Sequence, residues 1–308
     1  MSTKTLSAAP AIERGRPIAE TMRSLIGRAQ GFLFALPALL VLAIFIVYPM
    51  ISTVLMSVTD ANGTFTGLEN YTSIATSSTT SRAFTNTIFY VGLSIIFQMV
   101  LGTGVGIVLN ETFRGRALVR SLMLIPWVIP GIVAAMTWAW MFNTDFGIIN
   151  YALKQLGIIA QPVGWLTNPS TVLPALTAVN IWKMFPFVAI MVLAGLQAIP
   201  VSLYEAARVD GANWWHEIRY ITLPGLKTIL SSITLLLLIA GVNSITIIYA
   251  TTKGGPADRS LITSIQIYVE AFQHFDFNRS SALSVMFFLI TTVFIVAYIR
   301  QSSRQQLG

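Results

Sequence analysis

Leu230-Ser231-Ser232-Ile233-Thr234-Leu235-Leu236-Leu237-Leu238-Ile239-Ala240-Gly241-Val242 carries no charged side chain, and its run from Leu235 to Ile239 turns apolar groups toward every side of a helix. A surface helix keeps its apolar residues to one stripe, so this stretch belongs in lipid or in a core. Leu39-Leu40-Val41-Leu42 repeats the pattern. Crossing a hydrocarbon core of about 30 Å takes about 20 mostly apolar residues, and six stretches suffice: 31–58, 84–110, 121–142, 172–199, 228–250 and 283–299. None shows the period-2 alternation over about 10 residues that marks a barrel strand. The expectation is an all-α membrane protein of six transmembrane helices, each satisfying its own backbone groups.

Composition agrees. Of 308 residues 10% are charged and 55% hydrophobic, and mean hydropathy is +0.71. A soluble domain carries about 25% charged residues. There is no cysteine, which excludes disulfides and thiolate metal sites, and His216 and His274 are too few for a histidine site. No metal is expected. No Gly-Lys pair occurs, so the phosphate-cradling G-x-x-x-x-G-K-[ST] loop is absent, as are G-x-S-x-G and H-E-x-x-H. No catalytic residue is expected either.

Basic residues set the orientation. Lys4, Arg14, Arg16, Arg23, Arg28, then Arg114, Arg116, Arg120, then Arg208, Arg219, Lys227, and finally Arg300 and Arg304 fall on one side; Arg82, Lys154, Lys253, Arg259 and Arg279 fall on the other. Both termini are therefore expected in the cytoplasm, and the net charge of +7 reflects topology rather than nucleic-acid binding. Residues 1–30 read as a cytoplasmic segment, poorly ordered over 1–22, leading into an uncleaved first helix; 31–300 reads as the membrane domain and 301–308 as a cytoplasmic tail.

The connection 200–224 is too polar for a simple turn. Ser202 with Glu205 three residues on forms a capping-box pattern. Gly211 is placed to end that first short helix, Asn213 to cap a second, and Pro224 to open the fifth span. Composition alone would allow an interfacial hairpin with Trp214, Trp215 and Tyr220 at the headgroups. However, Glu205-Ala206-Ala207, then Gly211 after three residues, Ile221 after nine more, and Leu223-Pro224 resemble the EAA motif of importer-type ABC permeases.

The resemblance extends to Gly67-Leu68-Glu69-Asn70-Tyr71, Asn86-Thr87, Phe113-Arg114-Gly115, Gly147-Ile148-Ile149-Asn150, Trp182-Lys183 with Pro186-Phe187, Leu193 to Pro200, and Gly254-Gly255-Pro256. The set is similar to permeases of carbohydrate-type ABC importers, the maltose and glycerol-phosphate subgroup in particular. It departs from the maltose branch in having no large insertion after the first span. The resemblance implies a type I importer permease fold in a bacterial inner membrane. It also implies a second homologous permease, two ATPase subunits that hold ATP and Mg, an extracytoplasmic solute-binding protein, and a sugar or sugar-like solute. This chain itself would bind no cofactor. Glu205, Ala206, Ala207, Arg208, Asp210, Gly211, Leu223 and Pro224 would then form the ATPase-coupling loop, with the two alanines allowing close approach and the charged groups at the rim.

The pathway itself is less legible. Lys183 lies near the middle of the fourth span, where an ionisable group marks either function or a pairing with a neighbouring helix. Asn180, Asn243 and Ser244 can hydrogen-bond a sugar or adjacent helices. Trp138 can stack on a sugar face or anchor at the interface. Gly102-Thr103-Gly104-Val105-Gly106 reads as helix packing, and Pro126, Pro130 and Pro186 as kinks. A secondary, ion-coupled transporter is the alternative, but no Asp or Glu lies within the six spans.

Overall fold

The computed structural model describes residues 34–306. The segment 1–30 and the last two residues of the expected tail lie outside the described residues. The first helix, α1 (Phe34–Ser57), contains a π-turn at Ala43–Val47. Of the described residues, 34–55 form one unit and 56–306 another.

The second unit begins with a short α2 (Glu69–Ala75) and the long α3 (Ser78–Asn110). Then come α4 (Arg116–Val128), α5 (Gly131–Met141), α6 (Ile148–Gln155) and α7 (Val172–Leu196). After α7 come α8 (Val201–Val209), α9 (Trp214–Glu217) and α10 (Leu223–Val242). The chain closes with α11 (Thr246–Thr251), α12 (Thr263–Phe272) and α13 (Phe277–Gln306). Among the described residues the only β pairing is a bridge between Thr59 and Phe65.

Among the described residues five helices are long and apolar enough to cross a membrane, and the pair α4–α5, bent by 94°, makes six if it counts as one span. The third span expected over 121–142 thus breaks at Pro130, where a kink was expected. Proline forces the residue before it out of helical geometry and lacks an N–H; Ile129 is extended (φ −58°, ψ 130°) and Pro130 caps α5. Pro126 and Pro186, by contrast, sit inside unbroken helices. The fifth span is also interrupted: α10 stops at Val242 and α11 resumes at Thr246.

At the centre α3 packs along α7. A Cβ on Gly102 would lie 2.6 Å from Val188 Cγ1 and 2.9 Å from the Phe185 carbonyl, and one on Gly106 2.8 Å from Val192 Cγ1 and 2.9 Å from the Ala189 carbonyl. Gly104 faces open space. In lipid such backbone approach and the van der Waals contact it permits drive association, because tails are as apolar as leucine. Val188, Val192, Leu226 and Ile233 continue that core into α10.

Asparagines close the ends. Asn86 Nδ2 donates to the carbonyls of Asp258 (3.0 Å) and Leu261 (2.8 Å), and Thr87 Oγ1 accepts the Thr263 N–H at 2.9 Å. Asn70 donates to the carbonyls of Ser57 and Thr59, Asn278 to those of Thr59 and Asp60. Asn150 donates to the Val163 carbonyl and accepts from the Val163 N–H and the Trp165 indole N–H, which ties down that loop.

Candidate functional site

A cavity of about 280 Å³ opens among α3, α7, α10 and α11. Its polar lining is Ser94, Gln98, Asn180, Lys183, Ser244 and Thr246. Asn180 Nδ2 donates to Ser94 Oγ at 3.0 Å, and Gln98 Nε2 donates to the Asn180 carbonyl at 3.1 Å. Ser244 Oγ shares a 3.2 Å hydrogen bond with the Tyr90 hydroxyl. Buried polar groups of this kind are tolerated because each is partnered. Lys183 Nζ donates to the Ile129 carbonyl at 2.5 Å and reaches those of Pro126 and Trp127 at 3.5 Å. The remaining lining offers amides and hydroxyls, which exchange hydrogen bonds readily with the hydroxyls of a neutral solute.

Three of the five pathway candidates thus meet in one place: Asn180, Lys183 and Ser244. Asn243 stands exposed at the break in the fifth span, its amide donating back to the Ile239 carbonyl at 2.8 Å. Trp138 packs instead against Trp182 and Phe142, with ring centroids 5.3 Å apart in each pair, at the edge of the first core cluster. Sequence reasoning missed Ser94, Gln98 and Thr246. Gln98 carried a usable signal, a side-chain amide in the middle of an apolar run.

On another part of the chain α8 and α9 form a hairpin. Pro200 caps α8, so Ser202 falls inside the helix and the Ser202–Glu205 capping box does not form. Proline's fixed φ suits a helix start, and with Pro200 as the cap the helix begins at Val201, one residue ahead of the serine. Gly211 adopts φ +84° with open space where a Cβ would be, so it is the backbone angle that requires glycine. Asn213 does cap α9: its Oδ1 accepts the His216 N–H at 3.0 Å.

Arg208, expected at the rim, keeps its side chain 65% exposed while its guanidinium pairs with Glu217, Nε to Oε1 at 2.6 Å and Nη2 to Oε2 at 3.2 Å. The hydrogen bond from Arg208 holds the Glu217 carboxyl below its ordinary value, outweighing desolvation. Tyr204 adds a 3.0 Å hydroxyl contact with Thr222. Glu205, Ala206, Arg208 and Asp210 all stay exposed on the hairpin, beside exposed Leu203 and Val209. Ala207 is half-buried. α9 runs through a π-turn at Ile218–Thr222 straight into α10, so Leu223 and Pro224 continue one helix rather than begin a separate span. Pro224 has no N–H for the carbonyl four residues back, which fits a π-turn there.

Residues 98–305 match the family of binding-protein-dependent transport system inner membrane components. The chain belongs to that family. As a permease it is 34% identical over 278 residues to the trehalose/maltose transport system permease of Thermococcus litoralis, an alignment covering 88% of this chain and 92% of that one. It is 31% identical over 279 residues to the sulfoquinovosyl glycerol transport system permease of Agrobacterium fabrum, covering 89% and 90%. Its fold matches a chain of a bacterial ABC transporter involved in import of the acidic polysaccharide alginate, with TM-score 0.83 at 23% identity over 92% of this chain and 99% of that one. The permease is thus an inner-membrane ABC importer subunit of the type I fold, and the helix count and class expected from sequence hold.

Proposed function

We propose that this permease forms half of the translocation pathway for a neutral sugar or sugar-like solute, both of its termini lying in the cytoplasm. The cavity of amides and hydroxyls between α3, α7 and α10 is the observation that carries the reading. The names of the two curated relatives support a saccharide or glycoside cargo. A second homologous permease completes the pathway, and an extracytoplasmic solute-binding protein delivers the sugar.

Energy comes from two partner ATPases that hold ATP and Mg, since this chain carries no phosphate-binding loop of its own. The α8–α9 hairpin is the part they move. It is short, cross-braced by Arg208 and Glu217, and presents Glu205, Ala206 and Asp210 outward, so a displacement at its tip passes rigidly through the π-turn into α10. α10 lines the cavity, which links the two ends of the permease mechanically.

The experiment is purification of tagged permease in mild detergent with whatever assembles on it, followed by reconstitution and ATP-dependent uptake of radiolabelled trehalose and maltose. Co-purification of an ATPase and a second permease, with uptake of either sugar, supports the reading. A chain that purifies alone and transports without ATP replaces it with a secondary carrier.

A further inference from the structure

We infer that Lys183 is a positioning residue that holds the third span in its 94° bend by taking up carbonyls which the break leaves free. The inference rests on the fold and not on the identity of the solute. α4 closes with the Ile129 N–H on the Ile125 carbonyl at 3.1 Å, and α5 opens with the Ala134 N–H on the Pro130 carbonyl at 3.0 Å. Within the gap, the Pro126 carbonyl faces a proline four residues on, which has no N–H to give. Carbonyls without donors are costly at membrane depth.

Lys183 Nζ supplies the donors, at 2.5 Å to Ile129 and 3.5 Å to Pro126 and Trp127. The benefit is mutual. An ammonium at membrane depth needs counter-charge, and neither the cavity lining nor the six spans contain a carboxylate; the partial negative charge at the end of α4 takes that role. The same brace sets α5 against α11. Gly131, the first residue of α5, would carry a Cβ 3.2 Å from Thr246 Cγ2 and 4.0 Å from Lys183 Cε. The cavity wall therefore depends on where Lys183 places the break.

The absence of native cysteine makes the test direct. Leu122→Cys on α4 and Met136→Cys on α5, exposed by 55% and 48% in the chain, are spin-labelled in the full transporter complex in nanodiscs without solute. Their distance is read by double electron–electron resonance. The parent and Lys183→Arg are expected to share one narrow distance distribution, while Lys183→Met and Lys183→Gln broaden or shift it. Failure of both neutral variants to assemble, with Lys183→Arg assembling, would also support a brace. An unchanged distribution in Lys183→Met and Lys183→Gln, even with uptake lost, overturns the inference; Lys183 would then act on the solute, and the proposed pathway would stand.

Discussion

Arg208 and Glu217 lie on opposite arms of the α8–α9 hairpin and are joined through both carboxylate oxygens, at 2.6 and 3.2 Å. Such fork-to-fork pairing fixes geometry as well as charge. Arg208→Glu should therefore loosen the hairpin and lower the sugar moved per ATP hydrolysed, while Arg208→Glu combined with Glu217→Arg restores much of it. Uptake and hydrolysis measured together in proteoliposomes decide the matter. Equal coupling in the single and double variants would remove the pair from the mechanism.

The same contact has a pH signature. Glu217 has a lowered pKa, so its contribution is present above the ordinary glutamate value of about 4.3 and is lost as pH falls through the lower folded value. The Glu217 carboxyl resonance in labelled complex should therefore titrate at lower pH than in Arg208→Ala, and an equal midpoint in the two would count against the pair.

Gly211 ends α8 at φ +84°, with nothing within 4 Å of the point where a Cβ would stand. A β-branched residue there costs roughly 1–2 kcal/mol of backbone strain or else re-aims the hairpin. Gly211→Val is expected to uncouple uptake from hydrolysis, and Gly211→Asn, which tolerates the left-handed region, to retain most coupling. A Val variant that couples normally would mean that the turn angle is irrelevant.

How much of this was legible follows from which physics each feature uses. Span number and helical class came from hydrophobic runs such as Leu235 to Ile239, because lipid imposes a length that composition alone reveals. The Gly211 turn and the Asn213 cap were legible because local chemistry decides them. The Ser202 cap failed to a stronger local competitor, Pro200. The break at Pro130 was legible as a kink though not in its size, whereas the one at Asn243 looked like span interior because apolar flanks hid it. The Asn180–Ser94–Gln98 network joins α3 to α7 over a long sequence separation, and no periodicity announces which polar groups will meet.

Gly102 and Gly106 face α7, whereas Gly104, on the same helix, faces open space. Gly102→Ala brings a Cβ to 2.6 Å from Val188 Cγ1, so the helices must part. Overpacking of this kind costs about 1–3 kcal/mol. Thermal unfolding of the purified complex should shift down clearly for Gly102→Ala and Gly106→Ala. Gly104→Ala should be neutral or slightly stabilising; equal losses at all three positions would argue against helix packing as the reason for the glycines.

Asn180 is the junction of the cavity's polar wall, since its amide donates to Ser94 and its carbonyl accepts from Gln98. Asn180→Leu removes the side-chain donor, leaves Ser94 Oγ without it, and puts an apolar surface where a solute hydroxyl would dock. Losing one partner of a buried hydrogen bond costs about 1–3 kcal/mol, and about 1.4 kcal/mol corresponds to a factor of ten in affinity. The KM for ATP-driven sugar uptake should therefore rise roughly tenfold or more, with complex assembly and basal hydrolysis intact. Ser121→Ala is the control, because that hydroxyl bonds only to the Ala117 carbonyl of its own helix and does not line the cavity. If Asn180→Leu transports with the parent KM, the cavity is not on the sugar's route, and the pathway must lie along a face of the permease that its partner subunit covers.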